Sequence, residues 1–524
     1  MANIIIFTDI PPRNIFSDQD PWYMEYSTPP AGAYALASHL RDLGYTVLVV
    51  PHCLRLTLAG IKKIIDNNSH DLLWAGLSTT LLMAKFNNID EYRQKWSEDS
   101  NMFLDSSLLY TSKRQFMNAK TFLVWSVAEI NLMSEFLRDK YQVPLLIGGG
   151  WINHIKDQSF HLLNDNVHVI TGRSETLTAE VSKILKQKPG AQFPIDISNQ
   201  HYDDVDFKTR VYHYKDYDHF NKDDWLPLEI SRGCAFNCAY CSYDRRSNFD
   251  AYRSPESLRQ ELIRNYEMFG TTKYMLVDDL YNDSKEKVRV LHDKVWSRLP
   301  FQPEWVSYMR LDLFWADPES VEIIKNSGAK LGSFGIETLH NKAGRKVGKG
   351  LGKERILETL GHLRKSWKDD VLIFAFFIVG LPDEPEESIL ETMAWLENND
   401  LLFSHYSNPM WVTPPEHKTL VKTLNNISIN NDKFGIRWET ETNWINQVGM
   451  TFARATELSN MINANPKRNG INFPDYIELR KMGFSHTDIA NTRSDPHMLH
   501  MREKSLLIQQ HITGRLEKLL ETKI

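Results

Sequence analysis

Three of the four cysteines, Cys234, Cys238 and Cys241, fall within the short stretch LEISRGCAFNCAYCSYDRR, in a CxxxCxxC array. Thiolates spaced this closely on one loop can wrap a corner of a cubane iron–sulfur cluster, which takes typically four such ligands. Three ligands leave one iron free of protein, and that iron can chelate a small molecule through an amine and a carboxylate. A zinc knuckle is the first alternative, but zinc wants a fourth Cys or His at suitable spacing. No His flanks the triad closely, and His52 and Cys53 lie far up the chain. Buried structural thiols are the second alternative, and a buried free thiol at a strand end is how Cys53 itself reads. A disulfide framework would spread pairs along a secreted chain, which this clustering does not do.

A thiol loop of this kind needs a scaffold, and the hydrophobic pattern supplies one. Over residues 1–185, apolar strands (NIIIFTD, YTVLVVP, DLLWAGLS, PLLIGGG, VHVITG) alternate with amphipathic helices such as AYALASHLRDLG and TFLVWSVAEINLMSEFLRDKY. Continuous apolar strands between helices predict a parallel sheet covered on both faces, a doubly wound Rossmann-like domain. The mixed stretch Lys85–Lys120 is longer than a usual connection and reads as an insertion over a site. Residues 186–223 are polar and read as an inter-domain crossover. A second β/α series spans 224–425, with LPLEIS, KYMLVDD, WVSYM, KLGSFGI, LIFAFFIVG and HYSNPMWVTP as strands, and six such units predict a partial TIM-like barrel. Residues 426–524 turn helical and polar. In that region Trp438, Trp444 and Arg454 are candidates to face a substrate, with core packing as the plainer reading.

Composition narrows the class. The 524 residues suggest roughly three domains. A hydrophobic fraction of 42% and a charged fraction of 24% are ordinary for a globular chain. The formal net charge of −6 gives no general attraction to nucleic acid or anionic membrane. The opening MANIIIFTDIPP has no basic n-region or long apolar core, and no stretch approaches the roughly 20 apolar residues of a membrane span. A cytoplasmic location is expected.

The CxxxCxxC array, with the aromatic Tyr240 before its last cysteine, resembles the radical S-adenosylmethionine (SAM) superfamily, and more specifically its subgroup with an amino-terminal cobalamin-binding domain. The resemblance covers about residues 1–425 and implies a [4Fe–4S] cluster on Cys234, Cys238 and Cys241. It also implies SAM contacts at Tyr240, at Asp278 and Asp279 of VDDL, at Arg310 of WVSYMRLD, at Glu337 of SFGIET and at Gly380 of FIVGLPDEP. An acid suits an ammonium or ribose hydroxyl, an Arg suits a carboxylate, and Gly lets backbone approach a base. Taken alone, an Asp-Asp after a strand reads more simply as a helix cap.

In the first domain the same resemblance implies cobalamin contacts at Ser78, Thr79, Gly148, Gly149, Gly150, Gly172 and Glu175. A DxHxxG signature is absent, so bound cobalamin would lack that lower axial His. The usual GEGE-like turn reads GRSE here. A degenerate or substrate-binding domain is the alternative. The implied activity is methylation of an unactivated carbon through a 5′-deoxyadenosyl radical and methylcobalamin, with a flavodoxin- or ferredoxin-type one-electron reductant as partner. A radical rearrangement, cyclisation or epimerisation fits the same motifs. A non-catalytic cluster or zinc protein that binds a partner is the reading from another class. The substrate class is not readable.

Overall fold

The computed structural model describes residues 3–8, 13–14, 23–24, 28–78, 127–149, 162–171, 174–194, 196–198, 206–241, 252–278, 280–412, 426–440, 442–464, 471, 473–492 and 501–524. The Lys85–Lys120 insertion lies outside these residues, as do Thr79, Gly150, Gly172 and Asp279.

The apolar runs of the first domain form β1 (Ile4–Phe7), β2 (Val47–Val50), β3 (Trp74–Ser78), β4 (Leu145–Gly148) and β5 (Val167–Thr171), joined by a short β6 (Asp196–Ser198). All pair in parallel in the order β2-β1-β3-β4-β5-β6. The strands are buried on both faces because helices cover both: α1 (Ala31–Asp42), α2 (Leu58–Asn67), α3 (Val127–Tyr141) and α4 (Ser174–Gln187). Thr57 starts α2 by accepting the Gly60 N–H at 3.1 Å. Strand order reverses at β1, so the crevice between the carboxyl ends of β1 and β3 is where this topology receives ligands.

The second sheet runs β7 (Trp225–Leu228), β8 (Lys273–Leu276), β9 (Glu304–Met309), β10 (Ala329–Glu337), β11 (Leu372–Val379) and β12 (Ser404–Pro409). These strands are parallel and lie side by side in chain order, with β7 and β12 unpaired to each other: a six-strand partial barrel. The connecting helices are α5 (Pro255–Phe269), α6 (Lys285–Lys294), α7 (Leu311–Ala316), α8 (Ser320–Asn326), α9 (Asn341–Lys346), α10 (Lys353–Trp367) and α11 (Glu386–Asn398). Ser254 caps α5, Pro255 follows in its first turn and Gly270 ends it in the left-handed region, so each boundary is written locally.

Paired residues of neighbouring parallel strands share a face. Tyr274, Trp305, Phe334 and Ala375 therefore point outward, into the core beneath the helices. Trp225, Val306, Leu331, Leu372 and Phe374 point into the lumen. The lumen floor is closed by α13 (Phe473–Lys481), which follows the hairpin β13 (Ile436–Thr440)–β14 (Asn443–Asn446) and α12 (Phe452–Asn463). Tyr476 of α13 meets Trp225 edge-on at 5.9 Å, and Arg480 pairs with Glu304 at 2.8 Å.

The two domains are bound together. Arg41 of α1 grips Asp218 through two hydrogen bonds of 2.8 Å, both side chains being buried. Beyond α14 (His486–Asn491), α15 (Met501–Glu521) lies along α2. Asn67 donates to the Leu520 carbonyl at 2.7 Å, Asn68 to that of Thr522 at 3.0 Å, and Lys63 pairs with Glu521 at 2.5 Å. Among the described residues, no helix is long and apolar enough to cross a membrane.

Candidate iron–sulfur and cofactor site

The cysteine loop leaves the carboxyl end of β7 and is pinned at several backbone points. The Ala239 N–H donates to the Val347 carbonyl at 2.9 Å, the Cys241 N–H to the Cys238 carbonyl at 3.0 Å, and the Ile427 N–H to the Ala239 carbonyl at 3.1 Å. Gly348, with φ of +87°, lets the turn after α9 close on this loop: a Cβ there would stand 3.5 Å from the Asn237 carbonyl and 3.6 Å from the Cys238 Cα. Cys238 is buried, whereas Cys234 and Cys241 are partly exposed.

The ends of the next strands converge on the loop. Arg310, directly after β9, donates from Nη1 to the Cys238 sulfur at 3.2 Å and stacks its guanidinium 3.9 Å from the centre of the Phe236 ring. Asp312 holds that guanidinium from behind, accepting Nε at 2.9 Å and Nη2 at 2.6 Å. Burial opposes charge on Arg310, but Asp312 and the Cys238 sulfur outweigh it and hold the guanidinium more firmly protonated than usual. On the other flank, the Tyr240 hydroxyl donates to Glu337 Oε1 at 2.7 Å, and Lys349 pairs with the same oxygen at 3.3 Å. Burial, then Glu337, pushes the Tyr240 phenol well above its ordinary range, so it stays a donor.

Asp278 points a different way from the reading of it as an ammonium ligand. It is buried and accepts the backbone N–H of Ile230 at 3.1 Å, the N–H of Ser231 and the Ser231 hydroxyl at 2.7 Å. Its carboxylate ties the carboxyl end of β8 to the stem of the cysteine loop. Gly380, φ +91°, faces Trp444 and Ala455, where a Cβ would collide with the indole. Trp444 is core, donating Nε1–H to the Met410 carbonyl at 3.0 Å, and Trp438 packs beside that core. Arg454 is spent on Glu386 and Glu457 at the surface.

In the first domain, Ser78 and Gly148 pair at the carboxyl ends of β3 and β4, and Gly149 follows in the left-handed half of backbone space at φ +117°. Glu175 is turned away from that edge and toward the barrel, into the Arg232 and Arg210 side chains at 3.0 and 3.4 Å. Sequence reasoning missed Glu384, which follows Gly380. It is buried, takes the Thr338 hydroxyl on Oε1 and has no partner on Oε2. Burial pushes its carboxyl up to about 8. A Glu in a Gly-Pro turn gives no warning of such burial.

Residues 228–396 match the family described as the radical SAM superfamily. This segment belongs to the radical SAM superfamily. The chain is also 24% identical over 192 residues to an uncharacterized methyltransferase of Pyrococcus horikoshii, and 25% identical over 188 residues to the anaerobic magnesium-protoporphyrin IX monomethyl ester cyclase of Cereibacter sphaeroides. These matches cover 36% and 35% of this chain, and 40% and 30% of those proteins, so the chain aligns with less than half of either relative. Among solved structures it resembles the radical SAM methyltransferase TsrM of Kitasatospora setae, solved with cobalamin and a [4Fe–4S] cluster bound. The TM-score is 0.52 at 12% identity, covering 97% of this chain and 100% of that one, and the likeness is one of fold.

The radical SAM residues here fit an iron–sulfur cluster by the chemistry of the donor set: three thiols on one pinned loop, with an Arg aimed at one sulfur. Among the described residues, no three His, Cys, Asp or Glu side chains are already gathered into a metal-binding group.

Proposed function

We propose that this chain is a cobalamin-dependent radical SAM enzyme that methylates an unactivated carbon of its substrate. The observation that carries the reading is the meeting of the CxxxCxxC loop with Arg310 and Glu337 at the carboxyl rim of a partial barrel, in a segment of that superfamily. When bound, the cluster and cobalamin supply one-electron cleavage of SAM to a 5′-deoxyadenosyl radical and carriage of a methyl group.

The chain's own residues do the rest. Cys234, Cys238 and Cys241 hold the cluster, and Arg310 keeps positive charge at one sulfur. Tyr240 and Lys349 orient Glu337, whose carboxylate suits the ammonium or ribose of SAM. Ser78, Gly148 and Gly149 line the edge that would receive cobalamin; Thr79, Gly150 and Gly172 lie outside the described residues.

The lumen excludes charge. From Lys273 and Glu304 at the floor to Glu337 at the rim, the described inward strand positions are uncharged, and Tyr308, Phe376 and Tyr406 are aromatic. A substrate group placed above Tyr308, Phe376 and Tyr406 would meet uncharged aromatic walls, which suit an apolar group.

The test is anaerobic reconstitution followed by turnover with methyl-labelled SAM. Label in a product together with S-adenosylhomocysteine supports the reading, and absence of label from every product overturns it. The likeness to a cyclase favours a second reading, a radical cyclisation or rearrangement without methyl transfer. 5′-Deoxyadenosine formed without S-adenosylhomocysteine would select it.

A further inference from the structure

Glu175 stands in the first turn of α4, just past the carboxyl end of β5, and is only 9% exposed. Its Oε1 accepts Arg232 Nη2 at 3.0 Å and Arg210 Nη1 at 3.4 Å. Arg232 lies in the stem of the cysteine loop, two residues before Cys234. Its Nε donates to Glu229 Oε1 at 2.8 Å and its Nη2 to Glu229 Oε2 at 3.2 Å, while the guanidinium lies 4.7 Å from the Phe207 ring centre. Glu229 also takes the Tyr212 hydroxyl. Arg253 ties the frame by donating to the Arg210 carbonyl at 2.9 Å and the Glu229 carbonyl at 3.0 Å.

Ion pairs withdrawn from water add little net stability, because desolvation offsets attraction, but a forked guanidinium between two carboxylates fixes distance and angle. Burial alone would raise the Glu175 carboxyl; Arg232 and Arg210 hold it below its usual range, so the pair stays ionised near neutral pH. Here one carboxylate belongs to the amino-terminal domain and the other to the stem of the cysteine loop.

We propose that Glu175 and Arg232 form a positioning clamp through which the amino-terminal domain fixes the cysteine loop relative to its own ligand-receiving edge. A ligand at the carboxyl end of β5 bears on the first turn of α4, and through Glu175 on the loop; the coupling is reciprocal. The clamp rests on the proposed function only in its second readout.

The experiment uses the full chain as parent, Glu175→Gln, Arg232→Met, the double variant and Arg232→Lys. Amide hydrogen exchange is followed in residues 174–187 and 229–241 without added cofactor. Each single change is expected to speed exchange about tenfold in both segments, the double change to add little further, and Arg232→Lys to retain part of the protection. Additive effects, or effects confined to the altered segment, overturn the clamp. After anaerobic reconstitution, Arg232→Met is expected to bind as much iron as the parent but to shift the electron paramagnetic resonance spectrum of the reduced cluster. An unshifted spectrum overturns the positioning role. Failure of the parent itself to take up a cluster counts against the proposed function, while the exchange data still judge the clamp.

Discussion

Arg310 donates to the Cys238 sulfur across 3.2 Å while Asp312 grips the other two nitrogens of the same guanidinium. A hydrogen bond and a positive charge on a ligand sulfur favour the more negative, reduced form of a cluster. Arg310→Gln is therefore expected to lower the midpoint potential by on the order of 50 mV, roughly a tenfold shift in a one-electron equilibrium. Arg310→Lys keeps the charge without the fork and should fall between the two. A redox titration of the reconstituted protein reads this directly, and an unchanged potential in the Gln variant would refute the contact's role.

The cysteines divide cleanly. Replacing Cys234, Cys238 or Cys241 by Ala is expected to reduce bound iron from about four per chain to a small remainder and to abolish SAM cleavage. Circular dichroism should stay near that of the parent, because the loop is held by backbone bonds rather than thiols. Cys53, buried in the first domain, is the control. Cys53→Ala should retain full iron, at a stability cost of about 1 kcal/mol.

Glu384 sets a pH dependence whose sign can be worked out. Its folded carboxyl titrates at about 8, against 4.5 for an ordinary Glu, so the folded chain holds a proton that the unfolded chain has lost. The penalty is absent below the ordinary value and grows as pH rises toward 8, at about 1.4 kcal/mol per unit, and then levels off. Melting temperature should thus fall between pH 5 and 8 through this group. Glu384→Gln should flatten that decline, and a variant melting curve as pH-dependent as the parent's would contradict the assignment.

The plug beneath the barrel is tested by Tyr476. Its ring is fully buried against Trp225, and its hydroxyl accepts from Arg480 at 2.9 Å. Tyr476→Ala is expected to cost about 3 kcal/mol, and Tyr476→Phe about 1 kcal/mol. Thermal unfolding followed by tryptophan fluorescence would show the order, and equal losses in both variants would mean that the hydroxyl rather than the ring closes the floor.

What the sequence revealed and what it withheld follow from range. Most strands of both sheets announce themselves as apolar runs, although Asp196–Ser198, in the stretch read as a crossover, and Ser404–Pro409 do not; CxxxCxxC is a local spacing, so fold class and thiol loop are legible from short windows. The contacts that orient the site are not local. Cys238 and Arg310 are 72 residues apart, and Glu175 and Arg232 are 57 apart. An Asp after a strand looks the same whether it faces a ligand or, like Asp278, turns back to hold the neighbouring loop. The stretch 206–224 reads as polar, yet it carries the Arg41 partner Asp218 and the buried Tyr212, Tyr214 and Phe220. Composition averages such anchors away.

The alignment of α15 with α2 has a consequence for biosynthesis. The apolar face of α2, Ile61, Ile64 and Ile65, belongs to one core with Ile512, Leu516, Leu519 and Leu520, so this domain lacks part of its covering until residue 521 has been synthesised. Domains made first usually fold first. Until residue 521 is in place this domain keeps an uncovered apolar flank, the kind of surface through which incomplete chains aggregate.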